Sequence, residues 1–366
     1  MPSLHRALAP TTIAMIGISM ALAACGSDSD SGSGKGSTSD AAIVHAKSEV
    51  ERYSASAEVK IPALASAPPK GKTVAQVNCT LPTCSVGEME APVEALGWEL
   101  EVFEYDLTKG PQDYVRAFDQ ALDSKPDYLS ITMVFPEDIV KDQLDRAEAE
   151  GIPVIGAGGV NEERPVAVIQ SEVPFLEAGA ITADIALADA EGTIDAVIPV
   201  DPSIPLHTTI AEGAQAELKE HSPASKAEIL ELSLAQPAAT NVTGIVNYLK
   251  RSPDTKYILF GGSSLYAGLQ QGLEAAGLAD KVKLILAFPF ESDIQAVKNG
   301  EFIATVAGEA THQWRSVDVM ARLSVGEKIT EQKPTSSFRI ITPDAASLES
   351  LDPPNWAESF KAAWGV

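Results

Sequence analysis

The chain has 366 residues, with 51 Asp and Glu against 27 Lys and Arg, and a formal net charge of −24 at pH 7. A surface this acidic repels nucleic acid and anionic lipid, which excludes nucleic acid as a partner. The acidic residues are scattered along the chain, and dispersed charge of this kind keeps a domain soluble. The length is sufficient for two lobes of ordinary size.

The N-terminus has the features of an export signal. His5 and Arg6 precede an apolar run over residues 11–24, which is too short for a helix that stays in the membrane. The run ends in Leu22-Ala23-Ala24-Cys25, which resembles a bacterial lipobox. The resemblance implies a signal peptide over residues 1–24, lipidation of Cys25, and anchoring at the outer face of the cytoplasmic membrane. An ordinary secretory peptide with a chance cysteine is the alternative.

A polar segment follows the lipidation site. Residues 26–40 are almost all Gly, Ser, Asp, Lys and Thr, a composition that buries little and is typical of a flexible linker. We therefore expect residues 25–70 to form the lipid anchor and a flexible spacer.

The two remaining cysteines lie close together. Cys79 and Cys84 flank Thr80-Leu81-Pro82-Thr83, and an oxidising compartment favours a disulfide between them. A redox pair and a metal-binding pair are the alternatives, although the spacing is not Cys-x-x-Cys and no histidine lies nearby in sequence.

Short apolar runs alternate with amphipathic segments from residue 72 onward, which is typical of βαβ units around a parallel sheet. The first series predicts strands at 73–78, 98–105, 127–134, 152–157 and 166–170, with helices at 86–96, 111–122 and 138–150. A second series predicts helices at 174–190, 207–221, 238–251, 265–276 and 311–323, with strands at 193–200, 227–234, 257–260, 282–288 and 302–307. The fold class is therefore α/β, with two doubly wound parallel-sheet lobes.

Three stretches carry a family resemblance. They are Gly151-Ile152-Pro153-Val154-Ile155, the run over residues 257–277, and the run over residues 294–306. Their order and spacing resemble the type I periplasmic binding proteins, in particular the ribose-binding-like receptors of ABC importers, over roughly residues 72–341.

The resemblance implies a hinge of three strands. The crossings would fall near residues 171–174, 307–309 and 336–339, which gives one lobe of 71–172 plus 308–336 and another of 173–307 plus 337–366. A small solute would bind between the lobes, against loops at the carboxyl ends of the strands.

The predicted cleft lacks polar residues that sugar-binding relatives commonly carry. This chain has Gly158-Gly159 after the fourth strand, Gly262-Ser263 at the start of a helix, Pro289 after another strand, Gly308 at the hinge, and Ile210 in a helix. Buried hydroxyls need polar partners, and an unpaired polar group costs about 1–3 kcal/mol. The sequence therefore favours a less hydroxylated ligand, such as a steroid-like or aromatic catabolite, and an ordinary sugar receptor is the alternative.

Several candidate contacts have structural alternatives. One of Phe288 and Phe290 is expected in the core, Trp314 could pack under the hinge, and His207 could be structural or a pH switch. The full set of candidate ligand contacts is Asn78, Phe135, Gly158, Glu172, Asp201, Ser263, Ser264, Tyr266, Phe288, Phe290, Glu309 and Trp314.

No catalytic motif is complete. The stretch Gly261-Gly262-Ser263-Ser264 resembles a nucleophile elbow, but Leu265 stands where the last glycine belongs. We expect a monomeric receptor that is not an enzyme, holds no cofactor or metal, and delivers its solute to an ABC permease. A secreted hydrolase and a signalling receptor are the alternatives.

Overall fold

The computed structural model describes residues 37–55, 61–80, 89–132, 135, 137–157, 172–308, 312–327, 338–346 and 355–366. The expected signal peptide, Cys25 and the strand at 166–170 lie outside these residues. Within this part of the chain, no helix has both the length and the apolar character that a membrane crossing requires.

The first lobe contains a four-stranded parallel sheet in the order β2-β1-β3-β4. Val74 and its neighbour Ala75 join different hydrophobic clusters, so both faces of this sheet are buried, as expected for a parallel sheet. Its elements are β1 (Thr73–Cys79), α2 (Glu90–Ala95), β2 (Glu99–Tyr105), α3 (Pro111–Asp123), β3 (Tyr128–Thr132), α4 (Lys141–Glu150) and β4 (Val154–Ala157).

The second lobe contains a six-stranded sheet in the order β10-β9-β8-β7-β5-β6, in which only β10 runs antiparallel. Tyr257 and Leu259 face one hydrophobic cluster, whereas Ile258 and Phe260 face the other. Its elements are α5 (Glu172–Ala190), β5 (Asp195–Val200), α6 (Pro205–His221), β6 (Lys226–Glu231), α7 (Ala238–Arg251), β7 (Tyr257–Phe260), α8 (Leu269–Ala276), β8 (Lys283–Ala287), α9 (Glu291–Lys298), β9 (Ala304–Ala307) and β10 (Arg339–Ile341). The predicted α/β fold with doubly wound sheets is confirmed.

Helix boundaries follow local turn chemistry. Gly151 ends α4 with a φ of 70°, in the left-handed region that glycine adopts without strain, as its sequence position predicts. The helix predicted at 265–276 is instead a 3-10 turn at Ser263–Leu265 followed by α8, because Gly268 has a φ of 81° between them.

The C-terminal segment corrects the expected domain division. Helix α10 (His312–Ser324) packs in the first lobe, and so does α11 (Trp356–Trp364), which was expected with the second lobe. The indole of Trp364 stacks on Trp314 with ring centroids 5.5 Å apart. These large apolar rings are buried only in the first lobe, so the chain passes between lobes once more after β10.

The expected spacer is also corrected. Residues 37–54 form helix α1 (Ser37–Ser54), with Ala42, Ala46 and Tyr53 buried. This helix packs on α5, whose apolar residues surround the helix and therefore need cover on more than one side. Residues 61–70 lie on the first lobe, where Leu64 N donates to Ala363 O at 2.9 Å.

Candidate functional site

The carboxyl ends of the strands in the second sheet lie beside the segments in which the chain crosses from one lobe to the other. The chain leaves β9 at Ala307 and begins α10, in the other lobe, at His312. A link this short spans at most about 17 Å, so the carboxyl edge of the second sheet lies near the first lobe. The loops at this edge carry most of the predicted contact residues. Gly158 and Glu309 lie outside the described residues, and Glu172 is placed in α5 by its backbone alone.

Asp201 holds two loops of the second lobe together. It follows β5 and is buried, and its Oδ1 accepts hydrogen bonds from the backbone N and the Oγ of Ser203 at 2.9 and 2.6 Å. Its Oδ2 accepts from Leu234 N at 2.7 Å. Burial raises the pKa of Asp201, but these hydrogen bonds outweigh burial and hold the pKa below its usual range. Both carboxylate oxygens are therefore engaged within the protein.

His207 lies beside this loop in a neutral form. Asp201 N donates to His207 Nδ1 at 3.2 Å, so the hydrogen bonding assigns the ring proton to Nε2. Burial lowers the pKa of His207 to about 4, and the nearby charge of Asp201 opposes this only in part. The ring therefore stays neutral near neutral pH. This favours the structural role for His207 over a pH switch.

The Ser264 hydroxyl lies 3.4 Å from His207 Nε2. In a Ser-His-Asp triad this nitrogen must accept the serine proton while Nδ1–H donates to a carboxylate. Here Nε2 carries the proton, and Nδ1 accepts from a backbone amide of Asp201 rather than facing its carboxylate. The arrangement cannot activate Ser264 as a nucleophile, which argues against the hydrolase alternative.

Asp293 organises the neighbouring loops and was not among the predicted residues. It is buried in the first turn of α9, and its Oδ2 accepts from Phe290 N at 2.7 Å. The hydroxyls of Ser263 and Tyr266 also donate to this carboxylate. The Tyr266 ring packs edge-on against Phe302 with centroids 4.9 Å apart. The sequence signal available for Asp293 was its place in the first turn of α9, three residues after the N-cap residue Phe290.

Phe288 is surrounded by residues at the predicted crossings. Its ring centroid lies 5.3 Å from that of Phe175 and 5.8 Å from that of Phe338. A Cβ at Gly308 would lie 3.0 Å from Phe288 Cε1. The backbone of Phe288 has a φ of 53°, a strained value for a bulky residue, and such strain often occurs at functional positions. Phe290, two residues on, is only partly buried.

The first lobe contributes fewer described contacts. Asn78 is half-buried at the end of β1. Phe135 packs on the first lobe, with its ring centroid 5.7 Å from that of Tyr114. Trp314 is buried among Trp356, Phe360 and Trp364, and this packing favours its core alternative over ligand contact.

The described residues include one of the two cysteines that were predicted to form a disulfide. Cys79, at the end of β1, is disulfide-bonded. Cys84 lies outside the described residues. A disulfide next to the carboxyl end of β1 fixes the shape of a loop that begins at the predicted cleft.

Similar solved structures share this fold. A 5-methylthioribose transporter solute-binding protein from Thermotoga lettingae has a TM-score of 0.64 and 18% identity, covering 81% of this chain and 99% of its own. A periplasmic ribose ABC transporter protein from Conexibacter woesei has a TM-score of 0.61 and 19% identity, covering 76% and 94%. A solute-binding protein from Bacillus halodurans with bound myo-inositol has a TM-score of 0.60 and 17% identity, covering 81% and 99%.

Sequence comparison identifies the family directly. No curated protein matches the chain. The family model described as a periplasmic binding protein domain matches residues 86–328, which is more than half of the chain. The resemblance inferred from the sequence is confirmed, and the chain belongs to the periplasmic binding protein domain family.

Proposed function

We propose that this chain is the substrate-binding lipoprotein of an ABC importer. It captures a small solute between its lobes, closes by hinge motion, and presents the closed form to a membrane permease. Family membership and the convergence of the strand ends on the passages between lobes support this function. Ligand contacts with both lobes stabilise the closed population.

The observation that most directly supports an unusual ligand is that polar groups at this edge already have partners. Asp201, His207, Ser263 and Tyr266 are engaged in hydrogen bonds within the second lobe. The aromatic rings of Phe288 and Phe290 remain partly exposed beside them. Such a surface favours apolar burial, at about 25 cal/mol per Å², over capture of many hydroxyls. We therefore propose a steroid-like or aromatic ligand.

An ordinary sugar or polyol receptor is the second candidate. The similar proteins from Thermotoga lettingae and Bacillus halodurans were solved with 5-methylthioribose and myo-inositol. The first of these compounds carries a methylthio group in addition to its hydroxyls, so it is a useful intermediate between the two ligand classes.

Thermal unfolding against a ligand panel tests these candidates. The panel contains sugars, polyols, 5-methylthioribose, steroid acids and aromatic acids, because a ligand that binds the folded chain raises the midpoint. We expect shifts with steroid or aromatic acids. Shifts with sugars or polyols alone would reject the proposed ligand class but keep the receptor function. Chemical conversion of a bound compound would instead favour an enzyme.

A pair of variants separates a cleft contact from general stability. Phe290→Ala removes a partly exposed ring at the proposed cleft, whereas Val102→Ala shortens an exposed side chain on β2. We expect ligand affinity to fall about tenfold or more only in Phe290→Ala.

The lipid anchor has its own test. Replacement of Cys25 by Ser removes the thiol that would carry the lipid. We expect the variant to leave the membrane fraction and appear in the soluble fraction. Retention of Cys25→Ser in the membrane at the wild-type level would argue for another means of attachment, whereas a wild type that is already in the soluble fraction would argue for an ordinary signal peptide.

A further inference from the structure

A cluster of histidine and carboxylate side chains lies where α1, α5 and α6 meet. His45 Nε2 lies 2.9 Å from Glu217 Oε1 and 3.9 Å from Asp184 Oδ1. His221 Nε2 lies 3.4 Å from the same Glu217 oxygen. The cluster is near the C-terminal end of α6, about 20 Å along the helix axis from His207. It is therefore separate from the carboxyl edge of the sheet and from the proposed ligand cleft.

The spacing of the donor atoms fits a single divalent cation. One ligand atom each from His45, Glu217 and His221 lie within 4.8 Å of one another. Zinc bonds to nitrogen and carboxylate oxygen are about 2.0–2.2 Å long, so neighbouring ligand atoms in a tetrahedral site are roughly 3.3 Å apart. The two separations from Glu217 Oε1, 2.9 Å to His45 Nε2 and 3.4 Å to His221 Nε2, lie on both sides of that value.

Asp184 provides an independent indication of a missing positive partner. Its side chain is 4% exposed, and its Oδ1 has no hydrogen-bond partner among the described residues. A buried polar atom without a partner costs about 1–3 kcal/mol relative to a satisfied one. Asp184 Oδ1 lies 3.9 Å from His45 Nε2. A cation bound by His45 would therefore give this oxygen a positively charged partner.

The two imidazoles lie face to face. The rings of His45 and His221 stack with centroids 3.7 Å apart and an interplanar angle of 14°. The nitrogen lone pairs of near-parallel rings run side by side, so one ring must tilt toward the other for both Nε2 atoms to bind a single ion. Glu217 and His221 lie four residues apart on α6 and so share one helix face. The two histidines are about a third exposed, which leaves a path for an ion from solvent.

We propose that His45, Glu217 and His221 bind Zn²⁺ beside the carboxyl group of Asp184 and that the ion fastens α1 to the second lobe. The mixture of imidazole and carboxylate ligands favours zinc over Mg²⁺ and Ca²⁺, which take oxygen ligands. The sequence predicted no metal, because His45 lies in the expected spacer and is remote from His221 along the chain. Only the packing of α1 on α5 and α6 brings the ligands together.

The site has a structural consequence for the anchored protein. Along the sequence, helix α1 follows the proposed lipidation site and precedes both lobes. Lys47 and Tyr53 also contact α5 or the residue just after it, through Glu191 at 2.6 Å and Glu177 at 2.6 Å. A metal bond through His45 would add a stronger connection at the middle of the helix. Zinc would then control whether the N-terminal tether begins at α1 or farther along the chain.

Metal binding to the full chain tests the proposal. We would remove metal with a chelator, titrate Zn²⁺ by calorimetry, and follow thermal unfolding with and without the ion. We expect one Zn²⁺ per chain and a midpoint raised by several degrees at saturating zinc, since the ion binds only the folded arrangement. Ca²⁺ and Mg²⁺ should leave the midpoint unchanged.

Variants identify the ligands. His45→Gln and His221→Gln retain similar side-chain size at positions that are about a third exposed, and each should weaken zinc binding at least tenfold. Lys47→Ala is the matched control, because it removes a contact of α1 with the segment after α5 but no proposed ligand. It should retain wild-type zinc affinity. Absence of zinc uptake by the wild type, or uptake that neither histidine variant reduces, would overturn the site.

Discussion

The ring of Phe288 occupies the space beside Gly308 that a larger residue would need. A Cβ at position 308 would lie 3.0 Å from Phe288 Cε1 and 3.7 Å from Phe338 Cε1. A polar side chain is expected at this position in a sugar receptor, and such a side chain would crowd the ring. The glycine and the aromatic residue are therefore linked features of the same crossing region, and they replace a polar hinge side chain with an apolar surface.

Replacement of Gly308 by alanine should disturb this contact. We expect Gly308→Ala to lower the free energy of unfolding by about 1–2 kcal/mol, because the Phe288 ring must shift against Phe175 and Phe338 to make room for the new methyl group. In a Phe288→Leu background the same change should cost at least 0.5 kcal/mol less, roughly the smallest coupling expected of contacting residues. Equal costs in the two backgrounds, measured by urea unfolding, would show that the two positions do not interact.

Helices α5 and α6 approach too closely for a side chain at Gly213. A Cβ there would lie 2.1 Å from the carbonyl oxygen of Leu176. Because backbone atoms cannot move aside cheaply, Gly213→Ala should destabilise the protein by about 3 kcal/mol or more. Gly192→Ala is the matched control, since the nearest atom to its Cβ is 3.8 Å away. Thermal unfolding should show a large loss for the first variant and little change for the second.

A buried ion pair within α10 also accepts a hydrogen bond from the C-terminal helix α11. Arg322 Nε donates to Asp318 Oδ2, and Trp364 Nε1 donates to Asp318 Oδ1, both at 2.8 Å. Asp318→Ala leaves the Arg322 charge without its main partner and should cost about 3 kcal/mol. Trp364→Phe keeps an aromatic ring but loses one hydrogen bond, so a loss nearer 1 kcal/mol is expected.

An exposed ion pair provides the comparison for this network. Lys141 and Asp145 pair on the surface of α4, and Lys141→Ala should change the free energy of unfolding by less than about 1 kcal/mol. Urea unfolding of Asp318→Ala, Trp364→Phe and Lys141→Ala should rank their losses in free energy of unfolding in that order, from largest to smallest. An Asp318→Ala loss as small as that of Lys141→Ala would mean that Arg322 is satisfied by Glu327 and solvent.

The sequence predicted much of the fold because the signals there are local. The segment Ala238–Arg251 and the strand Tyr257–Phe260 were predicted at their observed bounds, since each has strong periodicity and clear ends. Helices α1 and α11 were missed. The first follows a low-complexity segment, and the second is short and lies beyond the resembling region, so their burial depends on distant partners.

The candidate site was less predictable for a related reason. Sequence position indicates which loops lie at the carboxyl ends of strands, and Ser263 and Tyr266 were identified in this way. It does not indicate that Asp293 binds both hydroxyls, because that contact joins loops after different strands. For the same reason the sequence did not decide whether Trp314 packs in the core or contacts ligand, because its aromatic partners come from α11.

The buried imidazole of His207 should make the protein sensitive to mild acid. Its pKa falls from 6.5 to about 4 on folding because burial disfavours the charged ring. Between these two values the unfolded chain binds a proton at His207 that the folded chain does not bind. The free energy of unfolding therefore decreases as the pH falls through this interval, by on the order of 3 kcal/mol from this group.

The variant His207→Gln isolates this contribution. Glutamine does not titrate, and its carbonyl oxygen can accept from Asp201 N in place of Nδ1. Carboxylates elsewhere in the chain titrate in both proteins, so the difference between the two stability profiles reports residue 207. We expect urea unfolding between pH 7 and pH 4 to give a shallower loss for His207→Gln than for the wild type. Parallel profiles would mean that the imidazole is already accessible to protons in the folded protein, and the neutral Nε2–H form assigned here would then be wrong.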